Sequence, residues 1–463
     1  MRGIVVESCR DEDTHLSQAP ELLFHPDTQA QEMQLLQVYS DIEEQRLDGF
    51  GGAFSQSAAQ VYERMDRRGQ QRLTELLFSR ENGLAYNCGR IPIGSCDFSD
   101  GNYSYADAEG SAFDRAALER EPMLPLVREA RRYCPELELI AAPWSPPAWM
   151  KSNGEMCRGG RLLPQARGAY ARYLAQYIKT ARELGLPITM LSVQNEPKAV
   201  QTWESCIYDA REEGTFIRDF LAPELKKCGL EDVGILLWDH NKERVFTRSR
   251  EILAMDNMPD AIRGVAFHWY SGDHFENLAL CRRFFPQLQL VFSEGCVELC
   301  ATNTTIAQQA QRLGRSRDAV RGPWGFGEMY AHDIFGNLNA GMNRYLDWNL
   351  LLDRKGGPNH VGNFCSAPIL CDPETGDIYL QPSYDYIAHF SRFLPKGSVR
   401  VAVSRYTTDM EAAAFKTPQG ELVLVVMNAG DRSIPVTVSD VRKGMLADRV
   451  LKPHSILTAR WPA

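Results

Sequence analysis

The chain has 463 residues, of which 44% are hydrophobic, 24% charged and 10% aromatic; 51 Lys and Arg against 60 Asp and Glu leave a net charge of −9. That composition belongs to a globular protein rather than a disordered, collagen-like or coiled-coil one. The acidic balance excludes partners chosen by bulk positive charge, such as nucleic acid or an anionic membrane surface, and no run approaches the roughly 18 apolar residues of a membrane span.

The amino terminus, MRGIVVESCRDEDTHL, turns acidic after a four-residue apolar stretch. It has no signal-peptide core, which predicts a cytoplasmic protein. Residues 1–46 hold two candidate strands, GIVVES and EMQLLQVY. From there short β-rich runs recur, each followed by a helical pattern: LDGFGGAF (47–54), AYNCGRIPIG (85–94), LELIAAPW (137–144) and ITMLSVQNE (188–196). VGILLWDH (233–240), GVAFHWY (264–270), LQLVFSE (288–294) and NRYLDWN (343–349) complete a set of eight. The intervening segments repeat apolar residues at helical spacing; in 164–186 these are Tyr170, Tyr173, Leu174, Tyr177, Ile178, Ala181 and Leu184.

Eight strand–helix units predict a closed parallel (β/α)₈ barrel over residues 47–390. An open doubly wound sheet would need a phosphate-cradling glycine turn after its first strand, and GFGGAF lacks that spacing. After about residue 398 the period shortens to two, with turn chemistry at Pro418-Gln419-Gly420 and Asn428-Ala429-Gly430-Asp431. Residues 391–463 are therefore expected to form an antiparallel β-sandwich, completed by the strands of 1–46. The twelve cysteines are scattered and contain no C-x-x-C, so they are read as reduced packing residues rather than a zinc ribbon, redox pair or disulfide framework.

Chemistry in such a barrel gathers at the carboxyl ends of its strands. Those ends carry Asp97, Trp144, Asn195-Glu196, Asp239-His240, His268-Trp269-Tyr270, Glu294 and Trp348-Asn349. Carboxylates, amides and aromatic faces suit a neutral polyol with apolar ring faces, that is, a sugar. Glu196 and Glu294 lie 98 residues apart in sequence (294 − 196), yet strands four and seven face each other across a barrel mouth. Glycoside hydrolysis needs two such carboxyls, one as acid and one as nucleophile or base. Asn195 is placed to hydrogen-bond a sugar 2-hydroxyl. Asp97 either fixes hydroxyls or caps a loop turn, and Trp144 and Trp348 either stack on the sugar or pack the rim. Asp239, His240, His268, His332 and Asp333 show no close ligand spacing such as H-E-x-x-H, so neither a metal nor a cofactor is expected. No G-x-S-x-G elbow supports a serine hydrolase.

GFGGAFSQSAA, YNCGRIPIGSCDFS, APWSPPAWMK, LSVQNEP, FHWY, FSEGC and DWNLLLDRKGGPNHVGNF, in that order, closely resemble glycoside hydrolase family 30, in particular its glucosylceramidase-like branch. The resemblance implies a retaining exo-acting β-glucosidase with Glu196 as acid/base and Glu294 as nucleophile. It further implies a sugar subsite of Asp97, Trp144, Asn195, Trp348 and Asn363, supported by Arg90, His268 and Tyr270. A retaining mechanism calls for carboxyls about 5–5.5 Å apart, an ionised Glu294 and a raised pKa at Glu196. His360 stands where members of that branch carry an aromatic, and the segments expected to hold the aglycone (152–163, 241–248, 322–341) match no motif. An endo-β-1,6-glucanase or a β-xylosidase/β-fucosidase is the alternative within the family. A non-catalytic carbohydrate-binding protein is the alternative outside it.

Overall fold

The computed structural model describes residues 1–300, 304–313 and 322–463. Eight parallel strands close into a barrel: Gly49–Ala53, Cys88–Ile93, Glu138–Pro143, Ile188–Ser192, Gly234–Asn241, Ile262–His268, Gln289–Glu294 and Arg344–Asp347, the last pairing with the first. Each falls within or beside one of the eight runs read from the sequence. Closure demands close backbone approach at the first strand: a Cβ on Gly51 would lie 1.8 Å from the Cys88 carbonyl oxygen. Only glycine fits there.

The barrel interior is layered by the period-two rule. Cys88, Ile140, Met190, Leu236, Ala266, Val291 and Leu346, one from each of the second to eighth strands, form a buried apolar cluster. Two residues further along six of these strands stand Arg90, Ala142, Ser192, His268, Ser293 and Trp348, all buried. The apolar plug thus ends where a largely polar layer begins, beneath the carboxyl-terminal mouth.

The fifth strand breaks the count. Trp238 pairs with Ala266 and His240 with Phe267, leaving Asp239 as an extra residue. Trp238 and Asp239 both have positive φ, 73° and 58°. This bulge turns Asp239 into the interior, a re-aiming common beside active sites.

Strands Arg2–Cys9, Thr14–Leu23, His25–Pro26 and Leu35–Arg46 join six strands spanning residues 399–462 in one ten-stranded sheet. Its core includes Val5, Leu36, Val38, Leu424, Val436 and Trp461. Leu35–Arg46 begins with the alternating burial expected of a half-covered strand. One pairing departs from the antiparallel expectation: Ile434–Asp440 runs parallel to Leu35–Arg46. The strand supplied by the amino-terminal segment lies between carboxyl-terminal strands, so its direction is not set by a hairpin. All twelve cysteines are free and nine are buried. Among the described residues no helix is long and apolar enough to cross a membrane.

A buried histidine ties the sheet to the barrel. His389, on helix Pro382–Ser391, lies 2.9 Å from Ser8 Oγ through Nε2 and 2.9 Å from Thr458 Oγ1 through Nδ1. The Thr458 hydroxyl donates to the His389 carbonyl, so its oxygen accepts from Nδ1–H and Nε2 accepts from Ser8. Burial, aided by Arg392, lowers this ring to about 3. The fold therefore favours neutral His389, and its contribution is complete above the unfolded value near 6.5 and lost as pH falls toward 3. We expect His389 to remove about 2 kcal/mol of stability between pH 7 and pH 5. Urea unfolding at both pH values should show a smaller pH loss in His389→Gln; an equal loss would refute the assignment.

Candidate active site

Arg90 organises the polar layer. Its Nη1 donates to Glu294 Oε2, and its Nη2 donates to Asn195 Oδ1 at 2.7 Å and Asp239 Oδ2 at 2.8 Å. The guanidinium also lies over Trp144, 4.7 Å from the ring centroid. Asp239 accepts further bonds from Ser293 Oγ at 2.6 Å and from His268 Nε2 at 3.1 Å. Two carboxylates, an imidazole, an amide and a guanidinium thus bond one another, all of them buried.

The two glutamates are held differently. Glu294, ending the seventh strand, receives Arg90 on Oε2 and the Tyr270 hydroxyl on Oε1 at 3.0 Å. Glu196 follows the fourth strand at φ 49°, with its N–H donating to the Asp239 carbonyl at 2.9 Å. A left-handed, non-glycine backbone costs about 1–3 kcal/mol and persists only where its surroundings hold it. Glu196 Oε1 lies 3.3 Å from His268 Nδ1 and 3.5 Å from His240 Nδ1.

Burial opposes charge throughout the cluster, and the partners decide each outcome. For Asp239, burial is outweighed by Arg90 and His268, which hold it well below the usual carboxylate range. Burial disfavours the His268 imidazolium, but Glu294, Asp239 and Glu196 raise the ring to about 9. Burial lowers His240. Burial raises Glu294, with Glu196 adding to the effect against His268 and Arg90. For Glu196 burial is overcome by His240, His268 and Arg90, which bring it down to about 2. The raised Glu196 expected from sequence is therefore reversed in the structure. The cause is the pair of imidazoles beside it, whose proximity cannot be read from spacing. The electrostatics therefore favour a protonated His268 beside an ionised Glu196.

The pocket above them has a cavity volume of about 110 Å³, below the ~300–1,000 Å³ usual for drug-sized ligands. Asp97, Trp144, Asn195, Glu196, Tyr270, Glu294, Trp348 and Asn363 all line it; Arg90 and His268 lie directly behind. Every site residue named from sequence is thus brought together. Trp144 and Trp348 stack on each other, with centroids 5.1 Å apart, while still facing the pocket. Asp97 accepts from Asn363 Nδ2 at 3.1 Å, and burial raises its pKa well above the usual value.

Sequence reasoning missed part of the wall. Gln201, Trp203, Glu298 and Thr304 line the pocket from the loops after the fourth and seventh strands; His240 lines it from the end of the fifth strand, where the sequence places it. Of the segments 152–163, 241–248 and 322–341, only Asn241 reaches it. His360 turns away, its Nδ1 3.1 Å from the Asp97 carbonyl oxygen. His332 pairs with Glu411 and Asp273, outside the pocket. The only signal for the missed residues was their place in loops following catalytic strands. Glu196, His240 and His268 each bring a ligand atom to within 4.8 Å of the others, a set suited to a metal ion that no linear motif announces.

The comparisons agree with this geometry. The glycosyl hydrolase family 30 TIM-barrel domain matches residues 47–394, and the beta sandwich domain of the same family matches residues 397–459. Lysosomal acid glucosylceramidase of Mus musculus is 32% identical over 447 residues, covering 92% of this chain and 83% of that protein. An endo-1,6-beta-D-glucanase of Neurospora crassa is 26% identical, covering 90% of this chain and 86% of its own. Among solved structures, SrfJ from Salmonella typhimurium superposes with a TM-score of 0.91 at 33% identity, covering all of both chains. With both domains matched in order along nearly the whole length, the chain belongs to glycoside hydrolase family 30 and is a glycoside hydrolase.

Proposed function

We propose that the chain is a retaining, exo-acting β-glycosidase for β-glucosides, either glucosylceramide-like or glucan-derived, working by double displacement. The observation that carries this is the unequal treatment of the two glutamates around one pocket. Glu294 has a cationic donor on one oxygen and a phenol on the other. Those donors orient the carboxylate for attack on an anomeric carbon and offset part of the burial that raises its pKa. Glu196 is in contact with a cationic imidazole, His268.

In the first step Glu294 bonds to the anomeric carbon as the glycosidic C–O bond breaks, and Glu196 passes a proton to the leaving oxygen. In the second, Glu196 takes a proton from water, which attacks the same carbon and releases Glu294. Because Glu196 is drawn low, His268 replenishes its proton in this reading. Asn195, fixed through its Oδ1 by Arg90, offers its amide N–H to the sugar 2-hydroxyl. Asp97, Asn363, Trp144 and Trp348 bind the remaining ring.

Relatives named as glucosylceramidases favour a β-glucoside. The relative named as an endo-1,6-glucanase supports a second reading, action on β-1,6-glucan. A panel of aryl β-glucosides, β-xylosides and β-fucosides beside β-1,6-glucan separates them, with mass detection of released sugar. Cleavage of the glucoside, with the β-anomer appearing first by NMR, is the expected result. Rapid polymer cleavage with poor aryl turnover favours the second reading; no cleavage of any substrate refutes both.

A further inference from the structure

The imidazoles around Glu196 form a geometry that the hydrolytic role does not require. His268 Nδ1 and His240 Nδ1 lie 3.3 Å and 3.5 Å from the same oxygen, Glu196 Oε1. A tetrahedral zinc ion with bonds of about 2.0–2.1 Å has ligand–ligand edges of about 3.3–3.4 Å. Two edges of that tetrahedron are already present. The third, between the two imidazoles' ligand nitrogens, is within 4.8 Å.

Two further observations support a cation here. His240 Nδ1 is buried and makes no hydrogen bond, and its ring is held in place by stacking on Trp238, with centroids 5.2 Å apart. His268 Nε2 faces Asp239 Oδ1 at 3.1 Å, so with Nε2–H donating there, Nδ1 is the nitrogen turned toward Glu196. That carboxylate–imidazole pairing orients and strengthens histidine ligands at zinc sites.

We propose that Glu196, His240 and His268 form a His₂Glu site for one zinc ion, and that zinc occupancy switches the enzyme off. The fourth coordination position opens to the pocket, where water or a sugar hydroxyl completes the shell. The ion takes the place of the His268 proton beside Glu196 and releases it to solvent. Zinc binding stands on this geometry alone; the inhibition rests on Glu196 being the acid/base.

Full-length protein, stripped with EDTA and dialysed, is titrated with ZnCl₂ by calorimetry and assayed in parallel on an aryl β-glucoside. The expected result is one zinc per chain, activity lost in step with occupancy, and activity restored by EDTA. His240→Asn and His240→Gln should each weaken zinc binding at least ~10-fold and raise the inhibition constant by the same factor. Cys228→Ser, which removes an exposed thiol, should leave the titration unchanged. Unaltered affinity in folded His240 variants, or no binding at millimolar zinc, overturns the site. Should both variants fail to fold, Co²⁺ bound to wild type decides: nitrogen–oxygen four-coordinate absorption supports the site, and a thiolate signature overturns it. Zinc binding without turnover of any glycoside would refute the functional reading and leave the site standing. Turnover that persists at full occupancy would refute the switch alone.

Discussion

Glu294→Gln is expected to lower kcat by about 10⁴-fold or more while binding of a glucose-shaped ligand stays within a few fold of wild type. An amide cannot form the glycosyl–enzyme bond, and losing one member of a catalytic unit costs on this scale, about 5 kcal/mol of barrier. The variant should still fold. Its side-chain carbonyl still accepts from Arg90 or Tyr270, and Asp239 remains as a counter-ion to the buried guanidinium at 2.8 Å. Stripping a buried cation of every partner would cost about 3–5 kcal/mol, but that does not happen here. Rate and ligand affinity measured on the same preparation check the claim. A wild-type rate would show that Glu294 is not the nucleophile. Sugar binding by a wild-type protein that turns over no glycoside would instead favour the non-catalytic alternative.

The parts of this site legible from sequence are those governed by simple periodicity. Short β-rich runs, each followed by a helical pattern, located all eight barrel strands, and reading to each strand's carboxyl end found Glu196, Glu294, Trp144, Trp348 and His268. Asp239 shows where that arithmetic fails. It was placed at a strand end without a role, because a strict period-two count from Leu236 points Trp238, not Asp239, inward. The bulge that reverses this is created by two positive-φ residues and the register against Ala266 and Phe267. Neither carries the glycine that usually signals such a backbone. His240 is named at the same strand end, but its approach to Glu196 is not readable from spacing.

Electrostatics were less legible still. An acid/base role predicts a raised pKa from the needs of the chemistry, but the actual direction depends on which rings surround the carboxyl in space. His268 lies 72 residues from Glu196 in sequence, and its charge is in turn sustained by Asp239 and Glu294. Loop walls such as Gln201, Trp203, Glu298 and Thr304 follow no period at all.

Glu196→Ala is expected to separate the two chemical steps. General acid–base assistance contributes about 10²–10⁴-fold, and its loss should fall unevenly on substrates. An alkyl β-glucoside, whose leaving oxygen needs a proton, should lose the full factor in kcat/KM. An aryl β-glucoside with an acidic phenol should lose little in that parameter, because its leaving group departs unaided. Its kcat should still fall, since water attacks the glycosyl–Glu294 bond without a base and the covalent enzyme accumulates. Removing the carboxyl opens space at the pocket wall beside His240, and azide, which needs no base, can enter it. Added azide should therefore restore aryl glucoside turnover and yield the β-glycosyl azide, readable by NMR. An α-azide would contradict retention through Glu294. A loss of equal size for both leaving groups, unrelieved by azide, would place the proton donor elsewhere, with His268 at 3.3 Å the next group to test.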